Sequence, residues 1–113
     1  MTYALGELVA ERTLEAIARD GARAPVLIRI GKPVRDTLPG GDWACPSQIV
    51  GLGDEAVTAT FGVDALQALL LSVYGLRLRL TERAGLARVR LDWLGQPGLG
   101  LAVDPEVAFP TEH

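Results

Sequence analysis

Residues 49–62 read IVGLGDEAVTATFG, and two readings of that stretch lead to two different folds. Gly51-Leu52-Gly53-Asp54-Glu55-Ala56 matches G-x-G-x-x-A. If this were the loop that cradles a dinucleotide's pyrophosphate, a helix would have to start at its third small residue, so that helix N-terminal amides face the phosphate. The chain would then be a parallel α/β protein. Instead it continues as AVTATFG, in which Val57, Ala59 and Phe61 fall on one side and Thr58 and Thr60 on the other. That is the period and composition of a strand. With thirteen glycines in the chain, a six-residue match of this kind arises easily by chance. The glycines are better used as turn residues that supply positive φ. Ser47 to Val50 therefore leads into a turn at 51–54, Ala56 to Phe61 returns, and the sheet is antiparallel.

Upstream, APVLIRIGKPV places Val26, Ile28 and Ile30 in alternation with Leu27, Arg29 and Gly31, as a strand would. Leu5, Leu8, Val9 and Ile17 could lie on a helix, but Glu11 to Ile17 could equally form a strand. The turn signal Asp20-Gly21 between the two segments favours an antiparallel hairpin of 10–18 with 25–31. RDTLPGGDWACPSQ then reads as a loop by its Pro and Gly content.

Downstream, Asp64 as N-cap with Gln67 three residues later opens a helix over 64–81. Leu66, Leu69, Leu70, Val73, Leu76 and Leu80 fall within an arc of about 120°. Gly75 weakens the helix by up to about 1 kcal/mol relative to Ala, and Arg77 lies inside the apolar arc, where it has to snorkel out or find a partner. A rival strand at 76–80, LRLRL, also alternates cleanly and leaves the last helical turn open. In 87–93, Ala87, Val89, Leu91 and Trp93 take one face and Arg88, Arg90 and Asp92 the other, the pattern of a half-buried antiparallel strand. A short edge strand is expected at 98–103 and a loose tail at 105–113. The expected architecture is α+β: a curved antiparallel sheet of four to five strands, made of two N-terminal hairpins plus a strand after the helix. The one long helix packs on a single face.

At 113 residues the chain suits one domain spanning 1–113. A net charge of −3 and a pI near 5.0, with the arginines spread among apolar residues, argue against a nucleic-acid partner. Glu7 and Glu11 break the apolar residues of the N-terminus, which does not read as a signal peptide. No apolar run approaches the roughly 20 residues of a membrane span. Cys45, the one cysteine, cannot form an internal disulfide, and a cytoplasmic setting is expected. Lys32 is the only lysine among eleven basic residues and asparagine is absent, a bias that points to a GC-rich bacterial genome.

Ile30-Gly31 with Pro33, then Gly41 through Asp54 (GDWACPSQIVGLGD), then Gly62 through Leu69 (GVDALQAL) carry a resemblance. The pattern GDWxCPxxIxGLGD…GVDxxQAL is similar to that of a family of small bacterial proteins of unknown function. The resemblance implies the same fold and an intracellular bacterial setting. It transfers no catalytic residues.

The residues themselves offer little chemistry. His113 is the only histidine and lies in the tail, which argues against histidine-based acid/base or dyad catalysis. Asp36, Asp42, Asp54 and Glu55 lack a D-x-D-x-D loop and read as solvated turn acids, so no metal and no cofactor is expected. Cys45, before Pro46 and without a cation nearby in sequence, reads as a small buried hydrophobe. Trp43, beside Asp42 in a Gly/Pro-rich loop, is either a binding hot spot or the closure of the core. The candidate binding residues are Asp42, Trp43, Cys45, Pro46 and Asp54, with no catalytic set. The expected function is a non-enzymatic protein-binding module of accessory, regulatory or immunity type. Its partner is another protein, or a second copy through an edge strand. The alternative is a small-molecule-binding protein or enzyme with a pocket between helix and sheet that uses Asp42, Asp54 or Cys45.

Overall fold

The structure, a computed structural model, describes residues 3–36, 42–96 and 98–101. Strands β1 (Leu8–Ala18) and β2 (Arg23–Gly31) form the first hairpin, followed by a two-residue β3 (Val34–Arg35). Then come β4 (Trp43–Val50), β5 (Thr58–Gly62), the helix α1 (Ala65–Ala87) and β6 (Val89–Asp92). Every pairing is antiparallel. In β4, Trp43 pairs with both Arg35 and Gly62, and Ser47 with both Ile30 and Thr58. Hence β2 and β3 share one edge of β4 and β5 takes the other. Across the sheet the order runs β5, β4, β2 with β3, β1, β6. The helix, about 34 Å long at 1.5 Å per residue, leaves one edge strand and returns the chain to the opposite edge, so it must cross the sheet. This is the α+β architecture expected from the sequence.

The turn at 51–54 is built as its composition implies. Gly51 at φ +109° and Gly53 at φ +102° flank Leu52, which folds back into the core. The chain then runs into β5, so the G-x-G-x-x-A string serves a hairpin. At the helix start, Asp64 Oδ1 accepts the Gln67 amide at 2.8 Å, and Gln67 Oε1 reaches back to accept the Val63 amide at 2.8 Å. Arg77 settles its place in the apolar arc by lying over the Tyr74 ring, 5.3 Å from the centroid.

The structure revises several boundaries. Helix α1 runs six residues past 81, through Glu82-Arg83-Ala84-Gly85-Leu86-Ala87, and neither the strand at 76–80 nor the strand start at 87 is formed. Most of those added residues are good helix formers, and β-branching begins only at Val89. The segment read as a loop contains Arg35 of β3 and the first half of β4, despite Pro46. Here β2 pairs with residues 47–50 and β3 with 43–44, which leaves Cys45 and Pro46 outside both ladders on that edge. A residue without an N–H fits such a gap. Residues 98–101 form no strand; 102–103 of the expected edge strand, and the tail, lie outside the described residues.

Paired residues share a face, so the register decides what the helix covers. Leu14, Ala16, Val26, Ile28 and Ile49 point to the helix side and form the core with Leu52, Leu76 and Leu80. Gly62 is on that side too, where a Cβ would collide with the backbone nitrogen of Ala68. Beyond the helix, Arg12 stacks 3.8 Å over the Trp93 ring and donates to the Leu99 carbonyl at 2.5 Å, closing the same face with Leu99 and Leu101.

Candidate functional site

The five residues singled out in the sequence gather around β4 but do not converge. Alternation along the strand sends Trp43 and Cys45 to the helix side and Pro46 to the other, where a Cβ on Gly31 would run into the Leu5 carbonyl and the Pro46 ring. Trp43 is half-buried opposite Gly62, and Arg35 lies over its ring at 5.9 Å from the centroid. Asp42 is exposed, and its carbonyl accepts the Asp36 amide at 2.8 Å. Asp54 sits in the β4–β5 connection, far along the sheet. Its Oδ1 accepts the Ala56 amide at 2.9 Å and its Oδ2 lies 3.6 Å from Arg83 Nη2. These contacts are those of a turn acid. Residues 37–41, in the segment read as a loop just before Asp42, lie outside the described residues. Among the described residues no three metal-ligating side chains group together.

A polar seam that sequence reasoning missed lies between α1 and the β4–β5 hairpin. Arg79 donates through Nη2 to Ser47 Oγ at 2.5 Å and through Nη1 to Thr58 Oγ1 at 3.0 Å. Ser47 is fully buried. One turn on, Arg83 donates to the Asp54 carbonyl and ion-pairs with its carboxylate, tying the turn to the helix. Burial pushes the Arg79 guanidinium down from its ordinary pKa and Arg83 pushes the same way, while Asp54 opposes them. It stays charged, as arginine does in proteins. The sequence did hold a signal. Helix positions 68, 72, 75, 79 and 83 read Ala, Ser, Gly, Arg, Arg at three- and four-residue spacing, and Thr58 and Thr60 alternate on β5. Taken together these are a polar stripe facing a hydroxyl-bearing strand.

Cys45 and Ser72 lie in the same seam, both fully buried. Cys45 Sγ donates to the Gly31 carbonyl at 3.5 Å, and the Ser72 hydroxyl makes no hydrogen bond of normal geometry. Desolvation pushes the Cys45 thiol up, and its Ser72 neighbour offsets part of that. A thiol kept protonated and out of solvent is a poor nucleophile. The arrangement fastens the helix to the hairpin, and the Ser47 and Thr58 hydroxyls face a guanidinium.

A different feature faces solvent at the far end of the sheet. Phe61 is 42% exposed, Val63 74% and Leu66 63%, in a run that leaves β5 and enters the helix. The Tyr3 ring meets Phe61 edge-on, with centroids 6.0 Å apart. Val34, half exposed, is on the strand beside Trp43 and Ala44. Among the described residues β5 pairs with β4 alone, so its outer edge is unpaired.

Fold and surface together define a small α+β domain, with one helix laid across an open antiparallel sheet and no assembled catalytic constellation among the described residues. The chain matches the family described as a domain of unknown function (DUF6968) over residues 10–103. It belongs to that family. No curated protein and no solved structure matches it.

Proposed function

We propose that the protein is a binding module of the bacterial cytoplasm that engages another protein, or a second copy of itself, through the β5 edge and the apolar margin beside it. The carrying observation is the exposed run Phe61, Val63 and Leu66 next to a strand edge that is unpaired among the described residues. An open edge offers backbone donors and acceptors to an incoming strand, and alternating apolar side chains beside it give the contact specificity. Trp43, opposite Gly62 at the same end, extends the surface toward Asp42. A free, buried thiol at Cys45 suits a reducing compartment. No helix among the described residues is long and apolar enough to cross a membrane.

Leu66→Glu tests the reading without harming the fold. Leu66 is exposed in the first helical turn, where a carboxylate is favoured by the helix dipole. Wild-type and variant chains are compared by light scattering over a concentration series and as baits for a bacterial lysate. The expected result is a dimer or a specific partner with wild type, lost in Leu66→Glu at unchanged melting temperature. A chain that stays monomeric and captures nothing, or a variant that binds as wild type does, removes this surface from the function.

A further inference from the structure

At the other end of the helix a basic corner stands on the sheet. Ile17 in β1 pairs with Arg23 of β2 and with Arg90 of β6, which sets the three in one row on the face away from the helix. Arg19 follows β1 in the hairpin turn and Arg88 joins the helix to β6. Arg19, Arg88 and Arg90 line an open cavity of about 730 Å³, with Ile17, Val89 and Gly21 among its walls. Among the described residues no carboxylate lines it. Three acids stand nearby, and one of them, Asp92, ion-pairs with Arg90 itself, while Asp20 in the hairpin turn accepts the Ala22 amide at 2.9 Å. Glu15 pairs with Arg23 at 2.9 Å, while Asp92 lies 4.0 Å from Arg90 and accepts the Gly95 amide at 3.1 Å. Among the described residues, the Arg19 and Arg88 side chains have neither an ion pair nor a hydrogen bond.

Arg88 also adopts a costly backbone. It ends the helix at φ 59°, ψ 44°, the left-handed conformation that helix ends usually assign to glycine. The partial negative charge of the helix C-terminus favours a cation at this point. That accounts for Arg88 but not for Arg19 and Arg90, which come from other elements to the same cavity. In a chain of net charge −3, three guanidiniums around one concavity form a local field of the opposite sign.

We propose that this corner binds a small organic phosphate, with the guanidiniums of Arg19, Arg88 and Arg90 taking the phosphate oxygens and Ile17 forming a wall for its apolar part. A phosphate dianion offers three acceptor oxygens to forked donors, where a carboxylate offers two. The cavity is in the size range of small-molecule sites. The proposal is independent of the β5 surface, which lies at the opposite end of the helix.

Phenyl phosphate is the probe, followed by calorimetry and amide chemical shifts of the full chain, with inorganic phosphate and benzoate alongside. Wild type is expected to bind phenyl phosphate saturably, with shifts centred on Arg19, Arg88 and Arg90, and more tightly than either comparison ligand. Arg88→Gly separates binding from folding. It relieves the left-handed backbone and should raise the melting temperature while weakening phenyl phosphate about tenfold, the loss of one charge-assisted contact. Arg19→Gln should weaken it similarly at unchanged stability. The proposal is overturned if wild type shows no saturable binding below about 10 mM, a limit corresponding to barely 3 kcal/mol, or if both variants bind as wild type. Benzoate binding as tightly as phenyl phosphate overturns the phosphate assignment, and inorganic phosphate doing so overturns the role of the apolar wall.

Discussion

The helix rests on two halves of the sheet that are built from different chemistry. Toward β1, β2 and β6 the interface is dry: Leu14, Ala16, Val26 and Ile28 meet Leu76 and Leu80. Toward β4 and β5 it is polar: Cys45, Ser47 and Thr58 lie beneath Ser72 and Arg79. Non-directional burial holds the first half, and its strength scales with apolar area. Directional bonds hold the second, and they fix where the helix sits along the hairpin. A helix that slid by one turn would keep much of its apolar contact. It would strand the Arg79 guanidinium, and an unpaired buried charge is costly. The dry half supplies stability and the polar half supplies register.

The largest effect that separates the halves should come from the dry one. Leu80 is fully buried against the core. Leu80→Ala should lower unfolding free energy by about 2–5 kcal/mol, the range for deleting a buried leucine side chain. Denaturant titration with an unchanged slope would measure it. A cost below about 1 kcal/mol, smaller than any ordinary large-to-small core change, would mean that the helix is not seated on this half of the sheet.

Much of this division was hidden in the sequence for a reason visible in β5. The alternation of Val57, Ala59 and Phe61 against Thr58 and Thr60 announces a strand, and two-fold periodicity is local. Which face turns inward depends on what lies above each, and that is a tertiary fact. Here Ala59 and Phe61 face away from the helix, Phe61 against Tyr3, and the threonines face the helix. The elements with strong local signals were legible: the first hairpin through Val26, Ile28 and Ile30, the Gly51–Gly53 turn, and the helix cap at Asp64 and Gln67. Strand β4 was obscured because Pro46 is tolerated only thanks to a gap between two partner segments that local pattern does not reveal. The helix end was obscured because good helix formers continue into a residue, Arg88, whose left-handed backbone is unusual outside glycine. Trp43 and Cys45 stand out in the sequence as distinctive residue types. Their partners Arg35, Gly62 and Ser72 come from other elements, so sequence spacing could not supply the geometry around them.

Ser47→Ala asks whether the polar half contributes as argued. It removes the acceptor of the 2.5 Å Arg79 bond at a fully buried position and leaves guanidinium hydrogens unpaired. The expected cost is about 1–3 kcal/mol, smaller than that of Leu80→Ala. The paired change Ser47→Ala with Arg79→Met should recover much of it, because the replaced group no longer needs an acceptor. Denaturant melts of the two single variants and the double variant give the coupling directly. Additive costs would show that Ser47 and Arg79 act independently and that the seam sets no register.

Ser72→Ala should go the other way, by up to about 1 kcal/mol of added stability, since it removes a buried hydroxyl that makes no hydrogen bond of normal geometry among the described residues and places a better helix former mid-helix. The same substitution acts on Cys45. In the folded chain burial raises the thiol pKa and Ser72 holds it partly back, so removing Ser72 leaves the folded value higher still. The sign depends on which state ionises first. Below about pH 8.5, the unperturbed thiol value, both states are protonated and the stability associated with the thiol is fully present. As pH rises from there toward the folded pKa, the unfolded thiol ionises while the folded one does not, and stability falls. Ser72→Ala should therefore be more stable than wild type at pH 7 and should lose stability over a wider span of alkaline pH, whereas Cys45→Ala should remove the thiol's contribution to that decline. A Ser72→Ala chain less stable than wild type at pH 7 would mean that the hydroxyl is satisfied in solution. The polar half would then contain one more bond than its geometry displays.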